Sequence, residues 1–305
     1  MRTTLAAAAT VVFTAGLACA EPVSDYLTIE RLATVENMGR MSVNPVTGEV
    51  AFGTTGPGAG SAQQIRVMQP DGTVSAFGAA VPDPDAVAWD IDGSFGPAGS
   101  VLVGSNQGLY SISPSGDSYR FALTGPDMNN PEDIVVGGDG ALYFADYGLS
   151  RIQRLSTHGS YSTLAVTSSF ATRVVVDDNG RVSGLDASGS LTSTTLSQTQ
   201  SASLTELAFG NGTLEWERGA YAIDSDRGAL IRLYNDGSSL VLATGLFDGV
   251  DQSVPGWSDA HIGFAPTGEM YLGVPATGAV YSLVPAPGVA VIAGLGGLLA
   301  LPRRR

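Results

Sequence analysis

The chain has 305 residues, 29 of them acidic and 15 basic, and every basic residue is an arginine. A net charge of −14 excludes nucleic acid and anionic lipid as partners of the folded surface. Forty glycines, only 14% charged residues and one cysteine exclude a helical protein and any disulfide framework.

The first element is a leader. Arg2 supplies a positive start, Leu5 to Leu17 an apolar alanine-rich run, and Ala18-Cys19-Ala20 a small-residue cleavage site before Glu21-Pro22. This pattern predicts a secretory signal peptide over residues 1–20, removed by signal peptidase. An uncleaved anchor and a lipoprotein acylated at Cys19 fit less well. The run is short for a span, and Gly16 stands where a lipobox requires Leu. Cleavage after Ala20 leaves a mature chain without cysteine, which excludes thiol nucleophiles, Cys–zinc sites and Fe–S clusters. Its stability must then come from a large core.

From residue 21 to residue 284 one unit recurs six times: an apolar strand, a Gly-containing turn, then further short strands. The first strands open at Arg40, Ala86, Asp133, Arg173, Glu206 and His261. Hairpin signals follow, among them Pro45-Val-Thr-Gly48, Asp90-Ile-Asp-Gly93, Asp178-Asn-Gly180 and Pro266-Thr-Gly268. The openers are 46, 47, 40, 33 and 55 residues apart. Four strands at a period near that of a propeller blade predict an all-β, six-bladed β-propeller. The fourth unit is thin and polar from Thr192 to Ser203, which marks it as the blade to be distorted. The sixth unit ends at Val284 without a fourth strand. Thr28 to Val35 is left over at the N-terminus, and the pattern predicts that it completes the last blade and closes the ring.

The third unit reads Asn130-Pro-Glu-Asp-Ile-Val-Val136, Asp139-Gly-Ala-Leu-Tyr-Phe-Ala-Asp146, Arg151-Ile152. It resembles NHL and SMP-30/gluconolactonase-like repeats. The second, fifth and sixth units match that pattern moderately and the fourth poorly. The resemblance implies a six-bladed propeller with a divalent cation, usually Ca²⁺, held by Glu, Asn and Asp at the channel one residue before the openers. Those positions here are Gly39, Asp85, Glu132, Thr172, Thr205 and Ala260. Asp85 and Glu132 are the two acids among them, Asp259 is a third if the register shifts, and no Asn is in place. The hydrolase activity of that group therefore does not carry over with its ligands.

In a propeller the openers surround the channel mouth, and five of the six here are polar or charged. Arg40, Asp133, Arg173, Glu206 and His261 form either a ligand site in the mouth or a ring of Arg–carboxylate pairs that holds the blades together. A charge opening an otherwise apolar strand is costly unless it is paired. His158, in a Ser-Thr-His-Gly turn, is expected to be solvated, and one channel histidine makes no zinc site by itself. The chain has no G-x-S-x-G elbow and no P-loop. Trp216, between two glutamates, is a candidate for stacking a sugar or for packing on a blade edge.

The last element is a tail. Val284-Pro285-Ala286-Pro287 leads into an apolar run, Gly288 to Pro302, and then Arg303-Arg304-Arg305. As a helix the run would reach roughly 22 Å, short of the roughly 30 Å of a bilayer core. The terminal arginines predict a cytoplasmic end. A short motif, an apolar run and a basic end have the logic of a sorting signal whose tail is removed. The tail resembles PEP-CTERM signals, with Ala286 where that family has Glu. The resemblance implies processing by an exosortase-like transpeptidase and contact with the membrane through residues 285–305, the alternative being a plain single-span anchor. The sequence thus predicts an exported, monomeric propeller displayed on the cell envelope that binds a ligand or a surface component. The alternative is a divalent-metal-dependent lactonase of the gluconolactonase-like type.

Overall fold

A computed structural model describes residues 21–55, 61–193, 203–211, 218–234, 238–250 and 259–286. The predicted signal peptide, Trp216, Pro287 and the terminal arginines lie outside the described residues. The described secondary structure is entirely β: 23 strands in six antiparallel sheets.

The first strand, β1 (Leu27–Thr34), belongs to the last blade. Blade 1 follows as β2 (Met38–Val43), β3 (Val50–Thr54), β4 (Ala62–Met68) and β5 (Val74–Pro82). Blade 2 is β6 (Ala86–Asp90), β7 (Ser100–Ser105), β8 (Gly108–Ile112) and β9 (Ser118–Leu123). Blade 3 is β10 (Pro131–Val136), β11 (Leu142–Asp146), β12 (Arg151–Leu155) and β13 (Tyr161–Val166). Blade 4 shows three strands, β14 (Ala171–Val176), β15 (Val182–Asp186) and β16 (Leu191–Ser193). Blade 5 is β17 (Leu204–Asn211), β18 (Arg218–Asp224), β19 (Ala229–Leu233) and β20 (Ser239–Ala243). Blade 6 contains β21 (His261–Phe264), β22 (Met270–Val274) and β23 (Ala279–Pro285), and β1 pairs antiparallel with β23, from Leu27 opposite Pro285 to Thr34 opposite Ala279. The ring closes as the leftover strand predicts. The expected thin part of blade 4 lies mostly in residues 194–202, outside the described residues.

Inner strands touch in the cyclic order β2, β6, β10, β14, β17, β21 and back to β2. They enclose the channel, while the second and third strands carry the core. Val50, Phe52, Leu102, Leu109, Leu142, Phe144, Ile223, Leu230, Leu272 and Leu283 are fully buried between neighbouring blades. Where blade 1 meets blade 2, a Cβ on Gly53 would stand 2.6 Å from the Asp85 carbonyl oxygen, so only glycine fits there.

A repeated aspartate fixes the linkers between blades. Asp146, Asp186 and Asp224 end the second strands of blades 3, 4 and 5, all nearly inaccessible. Asp146 accepts N–H bonds from Asn129, Asn130 and Leu149 and one from Gln153 Nε2. Asp186 accepts from Ser168, Ser169, Ser188 and Ser190. In each case donors just before the inner strand take part, Asn129 and Asn130 to Asp146, Ser168 and Ser169 to Asp186, and Ser203 to Asp224 at 2.7 Å, so the buried carboxylates are satisfied.

Candidate functional site at the channel mouth

The inner strands do not begin as regular ladders. Bulges interrupt the pairing between Met38 and Met41, Pro131 and Asp133, Ala171 and Arg173, and Leu204 and Glu206. A bulge breaks the two-residue alternation and re-aims side chains. Glu132 and Asp133, though consecutive, therefore both reach the channel: Glu132 lines a cavity above the mouth, Asp133 one below it.

Between the two cavities the openers meet. Arg40 reaches across to blade 3, its Nη2 lying 3.0 Å from Glu132 Oε1 and its Nε donating to the Glu132 carbonyl at 3.2 Å. Arg173 donates through Nε to Glu206 Oε2 at 2.6 Å and through Nη1 to the Thr172 carbonyl at 2.8 Å, and its Nη2 is 3.8 Å from Asp259. His261 Nδ1 lies 3.1 Å from the same Glu206 oxygen. Asp133 is held by backbone, accepting from Ile134 N at 3.1 Å and Val174 N at 2.9 Å. Arg173, His261, Arg40 and Glu206 are 2%, 4%, 7% and 7% exposed, so the charges are compensated within the protein. Arg40 Nη1 is buried with no hydrogen-bond partner among the described residues.

This setting shifts the titrating groups. Burial pushes Asp133 up to about 6, Arg40 and Arg173 pulling the other way. Asp85 rises to about 7 through burial and the neighbouring charges of Glu132 and Asp83, against Arg40. Burial raises Glu206 as well, opposed by Arg173 and Arg40. Burial, with Arg40 and Arg173 beside it, drives His261 well below the ordinary histidine value. The imidazole is neutral at pH 7, so its Nδ1–H donates to Glu206 and Nε2 keeps a lone pair.

The upper cavity, about 530 Å³, is lined by Arg40, Asp85, Glu132, Asp259 and His261, and by the segments Thr34–Gly39 and Pro275–Gly278. The lower cavity, about 430 Å³, is walled by the apolar stretches of the inner strands, including Trp89, Phe209 and Phe264, with Asp133 and Glu206 at its inner end. Glu36 and Asn37 of the upper wall follow the closing strand and carried no sequence signal. Asn37 adopts a left-handed φ of 53°, a turn geometry that asparagine tolerates.

The cation expected at Asp85, Glu132 and Asp259 does not fit these residues. Among the described residues no group of three or more His, Cys, Asp or Glu is arranged to hold a metal. Glu132 faces the Arg40 guanidinium and Asp259 faces that of Arg173, so an arginine charge stands where a Ca²⁺ site needs several convergent oxygens. His158 sits exposed in its turn.

Strand order, closure and channel define an all-β, six-bladed propeller. No protein-family model and no curated protein sequence matches the chain. Solved structures do match it in fold. A gluconolactonase from Xanthomonas campestris superposes with a TM-score of 0.62 at 13% identity, covering 88% of this chain and 96% of that one. A streptogramin B lyase gives 0.55 at 12% identity, covering 86% and 98%. An auxiliary nutrient-binding protein from Bacteroides ovatus gives 0.58 at 11% identity, covering 87% and 78%. At such identities the likeness establishes the fold alone.

Proposed function

We propose that the chain is an exported, envelope-displayed propeller that binds a small ligand in the upper channel mouth and is sorted or anchored through residues 285–305. The observation that carries the binding reading is the upper cavity itself, a chamber of about 530 Å³ on which Arg40, Asp85, Glu132, Asp259 and His261 converge from separate segments of the chain. Cavities of this size with a few convergent polar groups are the usual form of a ligand site. The solved neighbours include both enzymes and nutrient-binding proteins, so fold does not choose between catalysis and binding. The donor set supports the binding reading: Glu132 faces Arg40 and Asp259 faces Arg173, two of the three acids that a lactonase metal would need. Export rests on the Ala18-Cys19-Ala20 leader, and sorting on the Pro285-Ala286-Pro287 motif with its apolar run and Arg303-Arg304-Arg305.

A thermal melt with EDTA, then with added Ca²⁺, tests the choice. A ligand bound only to the folded state stabilises it by about 2.7 kcal/mol at a hundredfold excess over Kd. The melting midpoint is expected to be indifferent to chelator and to Ca²⁺, and gluconolactone to hydrolyse at the buffer rate. A large chelator-sensitive shift abolished by Glu132→Gln would establish the metal-hydrolase reading instead.

A further inference from the structure

Arg40 is placed among acids that come from different blades. It lies near the head of the inner strand of blade 1, and its amide donates to the Asp85 carbonyl, at the entry to blade 2, at 3.3 Å. Its side chain then crosses to blade 3, where Nη2 lies 3.0 Å from Glu132 Oε1 and Nε donates to the Glu132 carbonyl at 3.2 Å. Among the described residues that line the upper cavity Arg40 is the single arginine, against Glu36, Asp85, Glu132 and Asp259. Asp259 faces Arg173 instead. The charge of Arg40 also reaches deeper, holding Asp85, Asp133 and Glu206 each below the value that burial alone would give. One guanidinium thus serves acids of blades 2, 3 and 5.

A second observation shows that Arg40 is not there for its hydrogen bonds alone. It is 7% exposed, and its Nη1 is sealed in with no hydrogen-bond partner among the described residues. A buried donor left unpaired costs free energy, so hydrogen bonding by itself disfavours this placement. Charge favours it. Carboxylates gathered in a poorly solvated mouth repel one another unless a cation stands among them. A divalent ion does this where carboxylate oxygens converge on one point. Among the described residues no group of three or more acids or other metal ligands is so arranged. A guanidinium suits acids that stand apart, because its planar fork spreads one charge over its whole width.

We propose that Arg40 is the resident cation of the channel mouth, a tethered guanidinium that does for Asp85 and Glu132 what a bound metal ion does in an acid-lined channel, so that the mouth assembles without one. This role is independent of whether a ligand enters the cavity above it. The blades are then joined across the channel by a charge that chelators and changes of medium cannot remove, which suits the proposed export.

Arg40→Ala in the full chain tests this, because truncation opens the vacated space to the upper cavity, which Arg40 lines. Thermal melts are read in sodium chloride and in methylguanidinium chloride, both at millimolar concentration and matched ionic strength. In sodium chloride the midpoint of the variant is expected to fall by about 5 °C or more. Methylguanidinium should recover part of that loss and leave the unsubstituted chain unmoved. Arg40→Lys keeps the charge without the fork and should lie nearer the unsubstituted chain than Arg40→Gln, which is neutral. Should Arg40→Ala not fold, the order of the Lys and Gln variants decides. An Arg40→Ala midpoint equal to that of the unsubstituted chain overturns the proposal, and so does a loss that sodium and methylguanidinium repair equally. Arg40→Lys as unstable as Arg40→Gln also overturns it, since hydrogen-bond geometry and not charge would then be the part Arg40 plays. Stabilisation of the unsubstituted chain by Ca²⁺ would overturn it as well, by showing that a metal holds the mouth.

Discussion

Arg173 and Glu206 carry the sharpest residue-scale expectation. Removing one member of a buried pair strands the other charge, which costs about 3–5 kcal/mol, whereas replacing both with neutral groups is often near neutral. Arg173→Met should therefore destabilise the fold strongly in urea unfolding, and adding Glu206→Gln should restore much of the loss. If the double variant is as unstable as the single, the pair is not the coupled unit that the 2.6 Å contact implies. Asp85 supplies a pH prediction. Its folded value, about 7, lies above the ordinary carboxylate value of 3.8, so the folded state binds more protons than the unfolded state between those two values. Stability from this group is full below about 4 and is lost as pH rises through 7. Asp133, at about 6, acts in the same direction over a narrower window. His261 opposes both, because its depressed value removes stability as pH falls below 6.5. Asp85→Asn should gain about 1–2 kcal/mol at pH 8 and little at pH 4, which chemical denaturation at the two pH values would measure. Equal gains at both would mean that the carboxylate is not strained by its neighbours.

Among the described strands, β1 matters most, since it is the one placed in a blade remote from its neighbours in sequence. Its pairing with β23 covers an edge that would otherwise present unpaired backbone groups to other chains. The Val35 amide then donates to the Gly278 carbonyl at 2.7 Å, which fastens the top of the closure. Gly278 has φ of +65°, and an added Cβ would run into the Val35 carbonyl oxygen. Gly278→Ala should therefore cost about 1–3 kcal/mol, more than an exposed turn substitution. A chain starting at Glu36 should lose cooperative unfolding and self-associate, as sedimentation would report. Retention of a sharp monomeric transition without β1 would show that the other blades close unaided. The bulges belong to this scale too, because they turn regular strand openings into a converging ring.

For the whole molecule, the route of the chain orients the domain. Inner strands run from the mouth downward, so β22 returns upward and β23 descends again to Pro285, with the Ala286 amide bonded to the Tyr26 carbonyl at 2.9 Å. The tail therefore leaves from the lower, outer rim of blade 6, on the side away from the acid-lined mouth. An anchor or attachment through residues 285–305 would then present that mouth outward. Fluorophores at Ala276→Cys on the upper rim and Thr267→Cys on the lower one compare their closeness to labelled lipid in vesicles carrying the full chain. Stronger energy transfer from position 267 is expected, the two turns being about 20 Å apart along the strands. On cells, mass spectrometry of the surface form should find Arg303 to Arg305 missing; an intact C-terminal peptide would leave a plain anchor.

The blade count and the closing strand were legible in the order of residues, because period, turn chemistry and alternation are local properties and the leftover Thr28 to Val35 matched the missing strand after Val284. The openers were legible as well, since charge at the head of an apolar strand stands out. Who meets whom was not. Arg40 pairs with Glu132 across 92 positions, and Glu206 is shared by Arg173, 33 positions before it, and His261, 55 after it. Sequence spacing carries no distance between strands on opposite sides of a channel. The bulges that aim Glu132 upward and Asp133 downward leave no mark in the alternation. In sequence the same three acids read alike as a cation site or as the walls of a larger chamber, and only the folded ring shows which charges they meet: Arg40 beside Glu132 and Arg173 beside Asp259.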